Sequence, residues 1–98
     1  MIDIIQSETF KRWLSGLKDR RAAVRIYARL DRAACGNLGD VKPVGDGIAE
    51  MRIDHGPGYR VYFLQRGSML IVLLVGGDKR SQAADIANAV KIAKDWKD

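Results

Sequence analysis

The sequence predicts an α+β fold: an N-terminal strand, an αα-hairpin packed on a mostly antiparallel four-stranded sheet, and a C-terminal helix. Three observations predict it. Residues 10–34 repeat apolar side chains at helical period, residues 41–75 change to strand-like runs broken by turn residues, and residues 83–93 return to helical period. Ninety-eight residues leave room for one domain, which we place at 1–98. A composition 47% hydrophobic is too apolar for a disordered chain.

The N-terminal elements follow from capping and spacing. Ile2, Ile4 and Ile5 ahead of Gln6 read as a short strand. Ser7 or Thr9 caps a helix, with Glu8 in its first turn, where a carboxylate meets the positive end of the helix dipole. Phe10, Trp13, Leu14 and Leu17 then fall at i, i+3, i+4 and i+7, one apolar stripe. Gly16 and Asp19 interrupt it, and a second helix starts near Asp19 or Arg20. Its apolar positions are Ala23, Ile26, Tyr27, Leu30 and Ala34, and on another face Arg21, Arg25, Arg29 and Arg32 recur. Gly36 and Asn37 tolerate the positive φ at which helices stop.

From residue 41 the period changes. Val41 to Val44 is a short strand that Pro43 confines to an edge or to a strand's beginning. Gly45-Asp46-Gly47 turns the chain into Ile48–Asp54, where Ala49, Met51 and Ile53 alternate with Glu50, Arg52 and Asp54. After the His55-Gly56-Pro57-Gly58 turn, Val61 and Phe63 share one face of the next strand, Arg60 and Tyr62 the other. Met69 to Val75 is continuously apolar, a central strand covered on both sides, and Gly76-Gly77-Asp78-Lys79-Arg80 reads as its end. Ala83, Ile86, Ala87, Val90 and Ala93 give the last helix, with Lys91, Lys94 and Lys97 near its negative end. Matching apolar faces requires Met51 and Ile53 to oppose Phe63 and Val61, or to lie one two-residue step away. Either register gathers Glu50, Arg52, Arg60 and Tyr62 on the face turned away from the helical hairpin.

Several chemistries are excluded. A lone Cys35 forms no intramolecular disulfide and, without a second Cys or a nearby His, no zinc site; it reads as a small buried thiol. One His and no paired Cys leave no metal constellation, and the Gly-rich turns lack the Lys-Ser/Thr ending of a phosphate loop, so neither metal nor cofactor is expected. No serine sits in a nucleophile elbow. The N-terminus lacks a basic, long-apolar leader and Met69–Val75 is too short to cross a bilayer, so the expectation is a cytoplasmic protein with no membrane partner.

Seventeen Lys and Arg against twelve Asp and Glu give a net charge of +5, which favours polyanionic partners. The excess is local: residues 11–32 hold eight basic and two acidic residues, the remainder nine and ten. What remains chemically is metal-free work on a phosphodiester. Cutting RNA through its own 2′-hydroxyl needs a base, positive charge at the phosphate and a proton donor for the leaving oxygen. Arg52 and Arg60 suit the clamp, because a guanidinium grips two phosphate oxygens at once. Lys79, with Arg80, joins them if the central strand ends on the same face. Glu50 and His55 are the candidate bases, and Tyr62 either donates a proton or stacks on a base. The same alternation also suits a soluble sheet face whose arginines pair with Glu50 and Asp54, and His55 also suits a plain turn residue.

Gly36-Asn37-Leu38-Gly39-Asp40, Lys42 with Val44-Gly45, Glu50-Met51-Arg52-Ile53, Gly56-Pro57-Gly58-Tyr59-Arg60-Val61-Tyr62-Phe63 and Gly76-Gly77-Asp78-Lys79 occur in order. Together they resemble the addiction-module killer proteins, the HigB-like branch of the RelE/ParE toxin superfamily, over nearly the whole chain. The resemblance implies a RelE-like fold and a type II toxin neutralised by a small antitoxin, commonly one with a helix-turn-helix, in a toxin–antitoxin hetero-oligomer. RelE-like members cut mRNA in the ribosomal A site, which would make ribosome and mRNA partners, with Arg60, Arg52 and Lys79 or Arg80 at the matching positions. Glu50 and Arg52 stand where RelE has two lysines, and Ala83 and Ala84 lie where it uses a tyrosine, so only Tyr62, Tyr59 or His55 is left to replace that tyrosine. ParE-like members share the fold but poison DNA gyrase, and a non-toxic RNA- or protein-binding module is a third outcome. Under this resemblance Arg21, Arg25, Arg29 and Arg32, with Lys42 and Arg80, are docking residues for rRNA phosphates or an acidic antitoxin segment, unless they form a merely solvated face.

Overall fold

Local signals set where the helices begin. The structure, a computed structural model, describes residues 1–96, so Lys97, assigned above to the end of the last helix, lies outside the described residues. Ser7 caps α1 (Glu8–Ser15): its hydroxyl accepts the Phe10 N–H at 3.0 Å and donates to the Leu74 carbonyl at 2.6 Å, tying the helix to the sheet. Asp19 caps α2 (Arg20–Ala34) by accepting the Ala22 N–H at 3.1 Å. The helix stops at Cys35, followed by Gly36 with φ of +96°. Cys35 is exposed there, which corrects its reading as a buried thiol: the last buried side chain of α2 is Ala33, and Cys35 follows the helix as its C-cap.

The strands are β1 (Asp3–Gln6), β2 (Val41–Gly45), β3 (Ile48–Ile53), β4 (Tyr59–Arg66) and β5 (Leu70–Asp78). They form one mixed five-stranded sheet in the order β1-β5-β4-β3-β2. The expected four-stranded sheet is therefore short by one: β1 joins it, parallel to β5, with Ile4 opposite Ile71. Periodicity within β1 carries no signal for that long-range pairing, which the α1–α2 crossover makes possible. β2 is an edge strand, as Pro43 requires. Between β3 and β4 the second of the two admissible registers occurs, with Met51 opposite Val61, Glu50 opposite Tyr62 and Arg52 opposite Arg60.

Helices cover both faces. Phe10, Ile26, Met51, Phe63 and Leu73 belong to the core under α1 and α2, while Tyr62, Leu64, Val72 and Leu74 pack with Ala89 of α3 (Gln82–Asp95). A register shift between Tyr62 and Phe63 places a bulge in β5, so that the consecutive Leu74 and Val75 both join the α3 cluster. The face expected to be open thus carries α3, and Glu50 and Tyr62 are fully buried. Gly76 and Gly77 do not end β5, which runs on to Asp78. A Cβ at Gly76 would fall inside the Trp13 ring and one at Gly77 inside the Asp85 carboxylate. The pair is glycine because helices press on both sides of the strand, a cause that sequence reading mistakes for a turn.

Candidate functional site

Arg52 and Arg60 face each other directly across β3 and β4, a like-charge pairing that destabilises a sheet unless something neutralises it. Glu50 neutralises it. Its Oε1 accepts from Arg60 Nη1 at 2.9 Å and from Arg52 Nε at 3.1 Å. Its Oε2 accepts from the Tyr62 hydroxyl at 3.1 Å and from Gln82 Nε2 at 2.6 Å. Burial on its own would raise the Glu50 pKa, but hydrogen bonds from Gln82, Arg52 and Tyr62 and the Arg60 charge outweigh it and hold the carboxyl below its usual range. Tyr62 moves the other way: burial first, then the charge and hydrogen bond of Glu50, push its phenol well above the ordinary tyrosine value.

This geometry corrects two assignments. A carboxylate that is fully buried and engaged by four donors is no free base for a substrate proton, and a phenol with no exposed surface neither stacks on a nucleobase nor donates to one. Glu50 and Tyr62 form the internal frame that aims two arginines. The arginines themselves are partly exposed, with side chains 38% accessible at Arg52 and 13% at Arg60. They open into a cleft of about 260 Å3 lined also by Asp40, Ile53, Asp54 and Gly58. Lys79 stands at its margin, its Cβ 3.6 Å from where a side chain at Gly58 would begin.

Arg80 points elsewhere: its side chain is 88% exposed and pairs loosely with Asp78 at 3.9 Å. Asp78 caps the single 3-10 turn Lys79–Ser81, accepting the Arg80 N–H at 2.9 Å, so the capped turn fixes where Lys79 begins. His55 does not line the cleft. Its Nε2 donates to Asp19 Oδ2 at 3.2 Å and its ring stacks on Tyr59 with centroids 6.5 Å apart, which ties the β3–β4 turn to the start of α2. The Asp19 carboxyl is held below its usual range by the Ala22 N–H and by His55.

The arginine stripe of α2 divides. Arg21, Arg25 and Arg32 are exposed, as is Lys42 on β2. Arg29 turns inward and donates to the carbonyl oxygens of Arg52, of Leu38 at 3.0 Å and of Asp40 at 3.4 Å, pinning residues 38–40 against the end of β3. Gly39, at φ of +69°, leaves the space this guanidinium occupies. Arg29 is a structural residue and not a docking one, a correction that its neighbours on the same stripe gave no hint of.

Gln82, Asp40, Asp54 and Gly58 belong to the site; in the sequence Asp54 stood out only as a partner for arginine, Asp40 and Gly58 only within turn and family motifs, and Gln82 not at all. Gln82 enters because α3 lies across the sheet, and nothing local in the chain signals that. Among the described residues no three His, Cys, Asp or Glu side chains cluster so as to hold a metal ion, and no helix is long and apolar enough to cross a membrane.

Residues 12–97 match the family described as phage derived protein Gp49-like (DUF891). An uncharacterized protein of Haemophilus influenzae is 49% identical over 94 residues, covering 96% of this chain and 95% of its own length.

Proposed function

The chain belongs to the phage-derived Gp49-like family, a RelE-like toxin-type family of toxin–antitoxin systems, and from that premise we propose that it is a HigB-like, metal-free endoribonuclease toxin that cuts mRNA on the ribosome. One observation carries the proposal: two directly opposed arginines held by a single buried carboxylate at the floor of a cleft. Burying a carboxylate costs several kcal/mol unless it is fully bonded. Here the bonds it makes fix the positions of Arg52 and Arg60, as a preorganised site for a phosphate requires.

In the reaction the RNA 2′-hydroxyl attacks the adjacent phosphorus, the 5′-oxygen bond breaks, and charge builds on the non-bridging oxygens. Arg52 and Arg60 meet that charge with donors already oriented, the electrostatic contribution that is commonly the largest in catalysis. Lys79 supplies a further cation at the margin, and the departing 5′-oxygen takes its proton from solvent water. Because Glu50 and Tyr62 are internal and His55 is bonded to Asp19, Asp54 in the cleft lining takes the base role in this proposal, accepting the 2′-hydroxyl proton. An antitoxin encoded beside the gene is the implied partner, and the ribosome presents the mRNA.

The test is inducible expression with mapping of mRNA 5′ ends. Prompt cleavage at ribosome-bound codons, lost in Arg60→Ala together with growth arrest, is the expected result. Growth arrest with DNA breaks and intact mRNA would replace the nuclease by a gyrase poison, and harmless expression of the unmutated chain would replace both by a non-toxic binding module.

A further inference from the structure

The cleft holds more acid than a phosphate clamp needs. Asp40 and Asp54 line it together with Arg52 and Arg60, and a carboxylate beside a bound phosphate repels it. Asp54 has the base role in the reaction above; Asp40 has no part in it. Asp40 is exposed, and among the described residues its carboxylate takes no hydrogen bond and no ion pair. Arg52, its neighbour across the strands, donates to Glu50 instead.

The backbone at Asp40 is fixed although its side chain is unbonded. Its carbonyl accepts the Arg52 N–H at 3.0 Å and Arg29 Nη2 at 3.4 Å. Just before it the Gly39 N–H donates to Asn37 Oδ1 at 3.1 Å, and the Asn37 N–H donates to the Arg32 carbonyl at 2.9 Å. Val41 pairs with Met51 and Arg52 with Arg60, so Asp40, Arg52 and Arg60 form one row across neighbouring strands. The usual strand spacing puts the Asp40 backbone about 5 Å from that of Arg52 and about 10 Å from that of Arg60. A nucleotide whose phosphate sits on the arginines reaches along such a row with its base.

A group that only accepts hydrogen bonds selects among bases by what their edges donate. Two carboxylate oxygens match two adjacent donors. Among the four RNA bases guanine alone offers such a pair, from its ring N–H and its amino group. Adenine and cytosine set a ring-nitrogen acceptor beside their amino group, and uracil sets its single N–H between two carbonyls, so each brings an acceptor against the carboxylate. We propose that Asp40 is a specificity-determining residue, reading the guanine of the nucleotide that adjoins the clamped phosphate. The inference rests on the RNA reading of the cleft and adds to it which base is taken. A cavity of about 260 Å3 has room for one nucleotide and not for a run of several.

The probes are the nucleoside 3′- and 5′-monophosphates of the four bases, with inorganic phosphate as control. They are titrated into the full chain and followed by NMR at the amide signals of Ile53 and Gly58 and at the arginine Nε–H signals. In at least one of the two series the guanosine nucleotide should bind at least about fivefold more tightly than the other three. Asp40→Asn brings an amide, one donor beside one acceptor, that suits an edge of every base, and it should level the four affinities to within about twofold. Asp40→Ala should level them as well. Inorganic phosphate should bind both variants more tightly than the unmutated chain, because a repelling charge is gone. The replaced side chain is exposed and unbonded, and circular dichroism checks the fold of each variant. Equal affinities for the four bases in both series, no nucleotide binding at all, or a guanine preference that survives in folded Asp40→Asn overturns the proposal. A uniform change of all four affinities in the variants marks a plain counter-charge for the arginines and overturns it too. Mapping mRNA 5′ ends on expression reports on the nuclease separately: guanine-selective binding without cleavage removes only the nuclease, and cleavage with no guanine beside the cut removes only the base reading.

Discussion

Replacing Glu50 by Ala is the sharpest single test of the site as described. The substitution removes both acceptor oxygens at once. Arg52 and Arg60 lose the charge between them and again oppose each other across the strands, while the Tyr62 hydroxyl and the Gln82 amide lose their partner. Breaking a buried ion pair from one side costs about 3–5 kcal/mol. The unsatisfied Tyr62 hydroxyl, fully buried, accounts for roughly 1–3 kcal/mol within that total. A domain of this size has about 5–15 kcal/mol in all, so Glu50→Ala should lower the Tm by roughly 15–30 °C or prevent folding outright. Urea unfolding followed by circular dichroism measures the loss. Because the penalty arises from stranded partners, Glu50→Leu combined with Tyr62→Phe should recover part of it, as apolar replacement of both members of a buried pair does. A Glu50→Ala loss below about 1 kcal/mol would refute the reasoning, since a carboxylate so cheaply removed cannot be what positions the arginines.

Further consequences can be checked on the same preparations. Glu50 has a lowered folded pKa, so its stabilisation is complete above the ordinary glutamate value of 4.5 and is lost as pH falls through the folded one. Tyr62 is the opposite case: its raised pKa contributes stability below the ordinary value of 10.0, lost as pH rises toward the folded one. Urea midpoints should therefore fall at both ends of the pH range, and the alkaline loss should shrink in Tyr62→Phe. Gly76→Ala should cost about 1–3 kcal/mol through collision with Trp13, and Trp13→Leu should restore part of it in thermal melts. Arg29→Ala should cost about 2 kcal/mol and speed amide hydrogen exchange across residues 38–40, whereas Arg25→Ala should stay within about 0.5 kcal/mol of the unmutated chain.

The contrast between Arg25 and Arg29 shows why half the site was illegible. Both occupy one helical stripe, and a helix wheel treats them alike. Which of them bends inward depends on where residues 38–40 pass, and that path is set by β2 pairing with β3. Glu50 and Tyr62 were rightly placed on one face with Arg52 and Arg60, because alternation along β3 and β4 fixes the face. Their role was misread because exposure depends on α3, whose final position no residue in β3 or β4 encodes. His55 belongs with them: the turn is legible, its bond to Asp19 is not.

By itself the sequence determined which stretches are helix and which are strand, the neighbourhoods in which α1 and α2 begin, and that β3 pairs with β4 in one of two registers. Each of these follows from interactions among residues close in the chain, or from a period that must match across one hairpin. The tertiary structure alone decided that β1 completes a mixed five-stranded sheet, that Gly76 and Gly77 continue a strand pressed between Trp13 and Asp85, and that α3 closes over Glu50. These depend on elements meeting from distant parts of the chain, where burial, and with it the chemistry of a carboxylate or a phenol, is set by what lies above it.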